Sequence, residues 1–584
     1  MKHLLLFCIG LSLLSCAGNR PPSSPEKIAT SPEKAWWKEA VVYQLYPRSF
    51  KDSDGDGVGD LQGIVSQLDY LKSLGIDVVW LNPIYSSPND DNGYDISDYR
   101  NIMAEFGTLQ DFDQLLEGLH ARDIRLVMDM VVNHSSDEHA WFQQSRRSRD
   151  NPYRNYYHWW NAERGTPTPR YSFFDVNNDA WQYDSLTNAY YLHYFSRKQP
   201  DLNWENPKVR EEVHDIMRFW LDKGVDGLRL DAFQYVAKDT TFPAFPAGYE
   251  KQIIRYYGMG PHLHDYIREM NEEVFSQYDI MTVAEGAGST FEDAMSLVDP
   301  ERHELDMVYH FEGVDLGNTL AGYTLKDFKR VYTKWDSAFA EKGWLAIFLG
   351  NHDVPRMVSK FGNDRPEFRA ASSKMLTTFI LSMRGTPYYY NGDELGMTNA
   401  DFNTISQYRD IAARNGYRAV QQNGGDLDLY LRELRALSRD HARTPFQWDT
   451  TAHAGFTTGT PWIAVNDNYL TVNVAVEEKD PRSVLNYFRR MIDLRKQYPD
   501  VLVYGRYTLL DEDNPQVYTY LREGGGRRML VALNFSETTA RTAVAVETEG
   551  ATLLLSNEAT TSPQLTTNGP LTLQPYEAVI YQLP

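Results

Sequence analysis

Seven residues sit at or near the carboxyl ends of short apolar runs, and their types are ones a packed interior would not choose. Asp129 and His134 mark DMVVNH, Arg229 and Asp231 mark GVDGLRLDA, Glu285 ends MTVAEG, and His352 and Asp353 end FLGNHD. A lone aspartate at a strand end commonly caps the next helix. Several such carboxylates gathered at one mouth are different. Buried like charges cost several kcal/mol unless a function or a cation offsets them. Arg229 lies two residues before Asp231, projects to the same side of its strand, and supplies part of that compensation. Carboxyl groups collected this way serve acid–base or nucleophilic chemistry, or hold a cation. A second acidic cluster, DSDGDGVGD from Asp52 to Asp60, alternates oxygen ligands with glycines that permit a tight turn. That pattern suits Ca²⁺ or Mg²⁺. It is not an EF-hand, because the twelfth position is Gly63 rather than Glu.

The elements that must carry these residues follow from periodicity. Apolar runs predict strands at Val41–Tyr46, Ile76–Leu81, Ile124–Val132, Val225–Leu230, Ile280–Ala284, Met307–Phe311, Leu345–Leu349 and Pro387–Tyr390. Most are separated by helical stretches, such as Leu61–Leu74, which Gly75 should stop. Alternating βα units of this number argue for an α/β fold with a parallel sheet, most simply a (β/α)₈ TIM barrel across residues 36–134 and 206–499. A doubly wound open sheet is the alternative, weakened because no glycine-rich phosphate fingerprint opens a helix. Two regions break the pattern. Residues 135–205 are rich in Trp, Tyr, Asn, Arg and Pro and read as a domain inserted after the third strand. Residues 398–480 read as an irregular subdomain. From residue 500 to 584 short β runs at Val501–Leu510, Gln516–Arg522, Arg528–Asn534 and Ala551–Leu555 predict a C-terminal antiparallel β-sandwich.

Composition narrows the partners. Among 584 residues, 58 Lys and Arg oppose 80 Asp and Glu, a net charge of −22 that argues against nucleic acid and anionic membranes. The 13 Trp, 38 Tyr and 26 Phe exclude a disordered chain and suit both a core and sugar stacking. At the N-terminus, Lys2 and His3 precede an apolar run from Leu4 to Leu14, too short to span a bilayer and right for a signal peptide over residues 1–15. The sequence Leu13-Leu14-Ser15-Cys16 resembles a bacterial lipobox, which implies lipidation of Cys16 and an exported lipoprotein at the outer membrane or periplasmic face. Cys8 would be removed with the signal, leaving no disulfide. Residues 16–35, with Ser-Pro-Glu-Lys at Ser24 and Ser31, read as an extended tether and the only membrane contact.

Taken together, the strand-end motifs resemble the α-amylase superfamily of retaining glycoside hydrolases, and within it the oligo-1,6-glucosidase and α-glucosidase group. DMVVNH, GLRLD, the Glu after strand five and NHD stand in family order, from about Val41 to Gln497. The subgroup marker QPDLN occurs at Gln199–Asn203, with further group-like runs from Ser87, Asn351 and Ala442. The resemblance implies that Asp231 is the nucleophile, Glu285 the general acid/base and Asp353 the transition-state stabiliser. Retention needs two carboxyls ~5–5.5 Å apart, one ionised and one protonated. Arg229 would hold Asp231 ionised, while neighbouring charge would raise the pKa of Glu285. His134 and His352 would hydrogen-bond the terminal glucose. Asp91 and Arg443 would pair behind it and Tyr94 would stack on it, so that only a terminal residue fits. The group's similar acidic loop implies a structural Ca²⁺ or Mg²⁺ held by Asp52, Asp54, Asp56, Asp60 and the Val58 carbonyl, with no organic cofactor.

The expected activity is therefore an exo-acting α-glucosidase on small oligosaccharides, acting as a monomer. Ala232 follows the nucleophile where strict α-1,6 enzymes of the group tend to carry Val, which favours α-1,4 links. A transglucosylase or isomerase such as trehalose synthase, or an oligo-1,6-glucosidase, would use the same site. A noncatalytic relative would lack triad members and usually carry a membrane helix. A starch-binding lipoprotein fits poorly with a closed pocket.

Overall fold

The eight expected strands form, and they form one parallel sheet. In the computed structural model, which describes residues 34–565 and 568–584, they are β1 (Val42–Leu45), β2 (Val78–Leu81), β3 (Arg125–Val131), β4 (Gly227–Asp231), β5 (Met281–Glu285), β6 (Met307–Tyr309), β7 (Ala346–Ile347) and β8 (Thr386–Tyr390). Hydrogen bonding runs β6-β5-β4-β3-β2-β1-β8-β7. A parallel bridge between Val308 and Leu345 joins the two outer members and closes the barrel. The signal segment, Cys8, Cys16 and all of the tether before Lys34 lie outside the described residues.

Alternation along each strand separates two cores. Val41, Tyr43 and Leu45 point outward to the helices, whereas Val42, Val78, Trp80, Val127, Val283 and Tyr309 fill the barrel. The inward series turns polar toward the carboxyl ends of the strands, at Gln44, Asp129, Arg229, Asp231 and Glu285. Register sets their neighbours: Asp129 lies opposite Arg229 across β3 and β4, and Glu285 opposite Tyr309 across β5 and β6. The outer helices hold this cage. The helix Leu109–His120, for example, starts at a Thr108–Asp111 capping box and buries Phe112, Leu115, Leu116 and Leu119 on one face.

The expected helix Leu61–Leu74 is two helices, Leu61–Val65 and Leu68–Ser73. At the break the Ser66 hydroxyl donates to the Gly63 carbonyl at 2.6 Å, competing with the helical ladder. The insertion after β3 contains a three-stranded antiparallel sheet, Trp159–Asn161, Trp181–Asp184 and Ala189–Leu192. It returns to the barrel through antiparallel bridges His134–Asp201 and Tyr157–Leu202. The region expected to be irregular, 398–480, holds two amphipathic helices, Ile411–Gln422 and Leu427–Leu437, divided by Asn423-Gly424-Gly425. Each fully buries a single residue, Ala413 and Leu434, although Leu427, Tyr430, Leu431, Leu434 and Leu437 recur at helical spacing along the second.

After the barrel, Pro499–Leu502 is a helical turn, and the strand expected from Val501 starts only at Arg506. A five-stranded antiparallel sheet and a two-stranded ribbon make the C-terminal domain. One face of the sheet packs Tyr518 and Tyr520 on barrel residues such as Phe379, with Ser382 Oγ and Tyr520 OH 2.6 Å apart. The other face packs on the ribbon through Leu530, Ala532, Ala540 and Leu573.

Candidate active site

Four carboxyl groups and one guanidinium organise the carboxyl-end mouth. Arg229 is fully buried; its NH1 donates to Asp129 Oδ1 and to Asp231 Oδ1, both at 2.6 Å. Its NH2 pairs with Glu285 Oε1 at 2.7 Å and donates to Tyr309 OH at 2.7 Å. The other Glu285 oxygen accepts the Ala232 amide at 2.8 Å. Ala232 adopts a left-handed conformation, φ 49°, and this turn aims its N–H back at β5. The side chains of Asp231, Glu285 and Asp353 keep 10%, 16% and 32% exposure, so all three face the cleft. Burial pushes the Asp231 carboxyl well above its ordinary range, and the Glu285 charge adds to it. Arg229 opposes both effects through its charge and its hydrogen bond.

The two expected sugar-binding histidines are held neutral. Gln44 Nε2 donates to His352 Nδ1 at 2.7 Å, which leaves Nε2–H to donate to Tyr94 OH, also at 2.7 Å. Tyr94 OH in turn donates to Asp129 Oδ2 at 3.0 Å and accepts from Asn82 Nδ2 at 2.9 Å. The Tyr94 ring stacks on His352, with centroids 5.3 Å apart and planes within 9°. Burial lowers the His352 pKa to about 3, and burial together with the Lys238 charge lowers that of His134 to about 3.

Asp91 and Arg443 do not form the expected pair. Arg443 donates to Asp353 Oδ1 at 2.8 Å and to the His352 carbonyl at 3.0 Å. The guanidinium that faces Asp91 is that of Arg439, at 3.6 Å, and Arg439 also donates to Asp353 Oδ1 at 2.9 Å. Both arginines follow the second subdomain helix four residues apart, and the turn Arg439–His441 presents the earlier one to Asp91. Burial raises Asp353, but His352, Arg439 and Arg443 outweigh it and hold this carboxyl below the usual range. Asp91 has only partial relief: burial against Arg439 and Arg443 leaves it at about 7.

The marker QPDLN has a physical role. Gln199 Nε2 lies 3.1 Å from both Asp91 Oδ2 and His134 Nε2. Asp201 Oδ2 pairs at 3.2 Å with buried Lys238, whose Nζ also donates to Asn133 Oδ1 at 2.9 Å and to the Tyr235 carbonyl at 2.7 Å. The inserted domain is thereby tied to the ends of β3 and β4.

The sequence of the whole chain agrees with this arrangement. The family described as alpha amylase, catalytic domain, matches residues 44–505, and the C-terminal domain of maltogenic amylase matches residues 507–580. The chain belongs to the alpha-amylase family of glycoside hydrolases. It is 52% identical over 518 residues to an oligo-1,6-glucosidase of Parageobacillus thermoglucosidasius, covering 87% of this chain and 92% of that one. It is 46% identical over 564 residues to an alpha-glucosidase of Pediococcus pentosaceus, covering 94% and 99%. Among solved structures, the trehalulose synthase from Pseudomonas mesoacidophila MX-45 aligns with a TM-score of 0.91 at 45% identity, covering 95% and 100%. A mutant isomaltulose synthase from Erwinia rhapontici NX5 bound to sucrose gives 0.91 at 44% identity, covering 94% and 99%.

The sequence motifs located Asp231, Glu285, Asp353 and both histidines, which the fold gathers at this mouth. They did not reveal Asp129, Tyr309 and Gln44 as partners, or Arg439 as the cation at Asp91. Asp129 stood in DMVVNH as a strand-end carboxylate; the other three had no local signal.

The acidic loop brings three of its expected ligands together. Carboxylate oxygens of Asp52, Asp54 and Asp60 lie within 4.8 Å of one another. Asp56 does not join them; its Oδ1 accepts the Val58 amide at 2.7 Å. Asp52 accepts the Gly55 and Gly57 amides at 2.7 and 2.9 Å, and Asp60 caps the following helix by accepting Gly63 N at 2.6 Å. The converging oxygens suit a hard cation, although Asp52 and Asp60 also spend acceptors on the backbone.

Proposed function

We propose that the enzyme is an exo-acting retaining α-glucosidase that removes terminal α-linked glucose from short oligosaccharides, with α-1,4 links favoured and α-1,6 links also accepted. The observation that carries the reading is the clamping of Asp231 and Glu285 by one guanidinium at 2.6 and 2.7 Å. That clamp supports the close carboxyl spacing of a double displacement, ~5–5.5 Å, better than the gap of ~6.5–9.5 Å that a direct water attack requires. Asp231 attacks the anomeric carbon as Glu285 protonates the leaving oxygen; Glu285 then takes a proton from the water that releases glucose. Asp353, kept ionised by Arg439 and Arg443, stabilises the cationic transition state. His134 and His352, neutral at working pH, bond sugar hydroxyls without adding positive charge. Asp91, Arg439 and Gln199 form the wall behind the terminal sugar.

The α-1,4 preference rests on Ala232. Ala232 follows the nucleophile and its amide holds the Glu285 carboxyl, so the size of its side chain bears on the wall beside both. The test is product analysis on maltose, isomaltose, trehalose, sucrose and soluble starch, with NMR of the first anomer released. α-Glucose released unit by unit, with short substrates preferred, agrees with the reading; maltooligosaccharides before glucose reject it. A second reading, transfer of glucose to a sugar in place of water, is favoured by the likeness to solved trehalulose and isomaltulose synthases. Isomerised sucrose in the same assay would establish it. The proposal extends to a structural Ca²⁺ or Mg²⁺ on Asp52, Asp54 and Asp60, with the Val58 carbonyl, and to export as a lipoprotein anchored through Cys16.

A further inference from the structure

The barrel has a second concavity, at the amino-terminal mouth opposite the catalytic one. We propose that it is a noncatalytic site for a small neutral saccharide. The cavity holds about 360 Å³, within the range of small-molecule sites. Asp77 and Arg125 contribute from the starts of β2 and β3, Trp36 and Glu39 from the first helix, and Arg495 and Lys496 from the end of the helix Val484–Gln497.

Two guanidinium groups in this wall have donors to spare. Arg495 is fully buried, and its terminal nitrogens are spent on the carbonyls of Leu381, Met383, Leu502 and Gly385 at 2.6–3.0 Å. None of those four lines the cavity. Its Nε–H has no acceptor and is itself buried from water. The Arg125 guanidinium makes no hydrogen bond among the described residues. It lies 4.0 Å over the Trp36 ring and reaches Asp226 and Asp279 only at 3.6 and 3.8 Å.

The charge pattern selects the ligand class. Arg125, Arg495 and Lys496 face Glu39, Asp77 and Asp123, so the wall carries equal numbers of each sign. Lys496 is already matched by Asp77 at 2.5 Å. An anion would satisfy the guanidinium groups but meet the carboxylates unscreened. A sugar hydroxyl accepts from a guanidinium and donates to a carboxylate at once, and an indole in the wall suits the apolar face of a pyranose.

The test uses full-length Asp231→Asn enzyme, so that no turnover intervenes, titrated calorimetrically with glucose and separately with inorganic phosphate. Two glucose events are expected. The double variant Trp36→Ala/Arg125→Gln should weaken one of them about tenfold or more. Asp91→Ala should remove the other. If Asp91→Ala leaves both events intact while the double variant weakens one, the catalytic reading fails and this inference stands. An unchanged pair of events in the double variant, or phosphate binding with no glucose event there, overturns it. If the double variant does not fold, wild-type crystals soaked in glucose decide: sugar density against Trp36 and Arg125 supports the site, and water alone refutes it.

Discussion

Replacing Asp231 by Asn should separate activity from stability in opposite directions. Around one Arg229 guanidinium the fold gathers Asp129, Asp231 and Glu285. Asp231 therefore has one close attraction and two repulsions. At an effective dielectric of about 20, a pair of unit charges about 4 Å apart is worth about 4 kcal/mol. Neutralising Asp231 removes one attraction and relieves two repulsions. The balance is reduced because the raised pKa of Asp231 already lets it shed part of its charge, and because a charge-assisted hydrogen bond worth about 1.5–3 kcal/mol is weakened. A gain of about 1 kcal/mol remains, of the size found when strained sites are neutralised. With roughly 550 ordered residues and about 2.1 cal/mol/K of unfolding entropy each, that gain raises Tm by only about 1 °C. Activity should fall by more than ~10³, because an amide cannot form the glycosyl ester. Initial rates on maltose and calorimetric melts of one preparation measure both. Near-normal turnover would refute the nucleophile assignment. A drop of several degrees would refute the charge argument and make Asp231 a structural partner of Arg229.

Other outcomes follow from the same geometry. Asp91 has a folded pKa of about 7 against an unfolded value near ~3.9, so its contribution to stability is full below pH ~4 and is lost as pH rises through about 7. Asp91→Asn should therefore gain Tm relative to wild type between pH 4 and 7; a difference that does not change with pH would contradict the buried-carboxyl account. If a cation sits on Asp52, Asp54 and Asp60, chelator should lower Tm and Ca²⁺ restore it, by linkage. Identical melts with no metal by elemental analysis would count against the site. Cys16→Ala should release the protein from membranes and abolish acyl labelling, whereas wild-type protein found wholly soluble would show the lipobox reading to be wrong.

Strand positions and the chemistry at their ends were legible in the chain because both are local. A (β/α) repeat with period-two apolar runs can close only with successive strands side by side, so polar residues at the ends of β3, β4, β5 and β7 had to meet at one mouth. The triad positions and the histidines therefore needed no coordinates. The acidic loop was equally visible, since its carboxylates are a few residues apart, although Asp56 lies outside the cluster of Asp52, Asp54 and Asp60.

What only the tertiary structure decided is which partner each group takes across long separations. The bond of Arg229 to Asp129 spans 100 residues and follows from cross-strand register, which no local pattern encodes. The choice of Arg439 over Arg443 for Asp91 depends on the turn leading out of the helix Leu427–Leu437, which no apolar spacing encodes. The neutral state of His352 depends on Gln44 from β1, 308 residues away, and on burial that excludes water from both. Sequence settles residue types and element order, because these are properties of neighbours along the chain. Pairing and protonation are settled by packing, because they depend on distance and dielectric between groups that only closure of the barrel brings together.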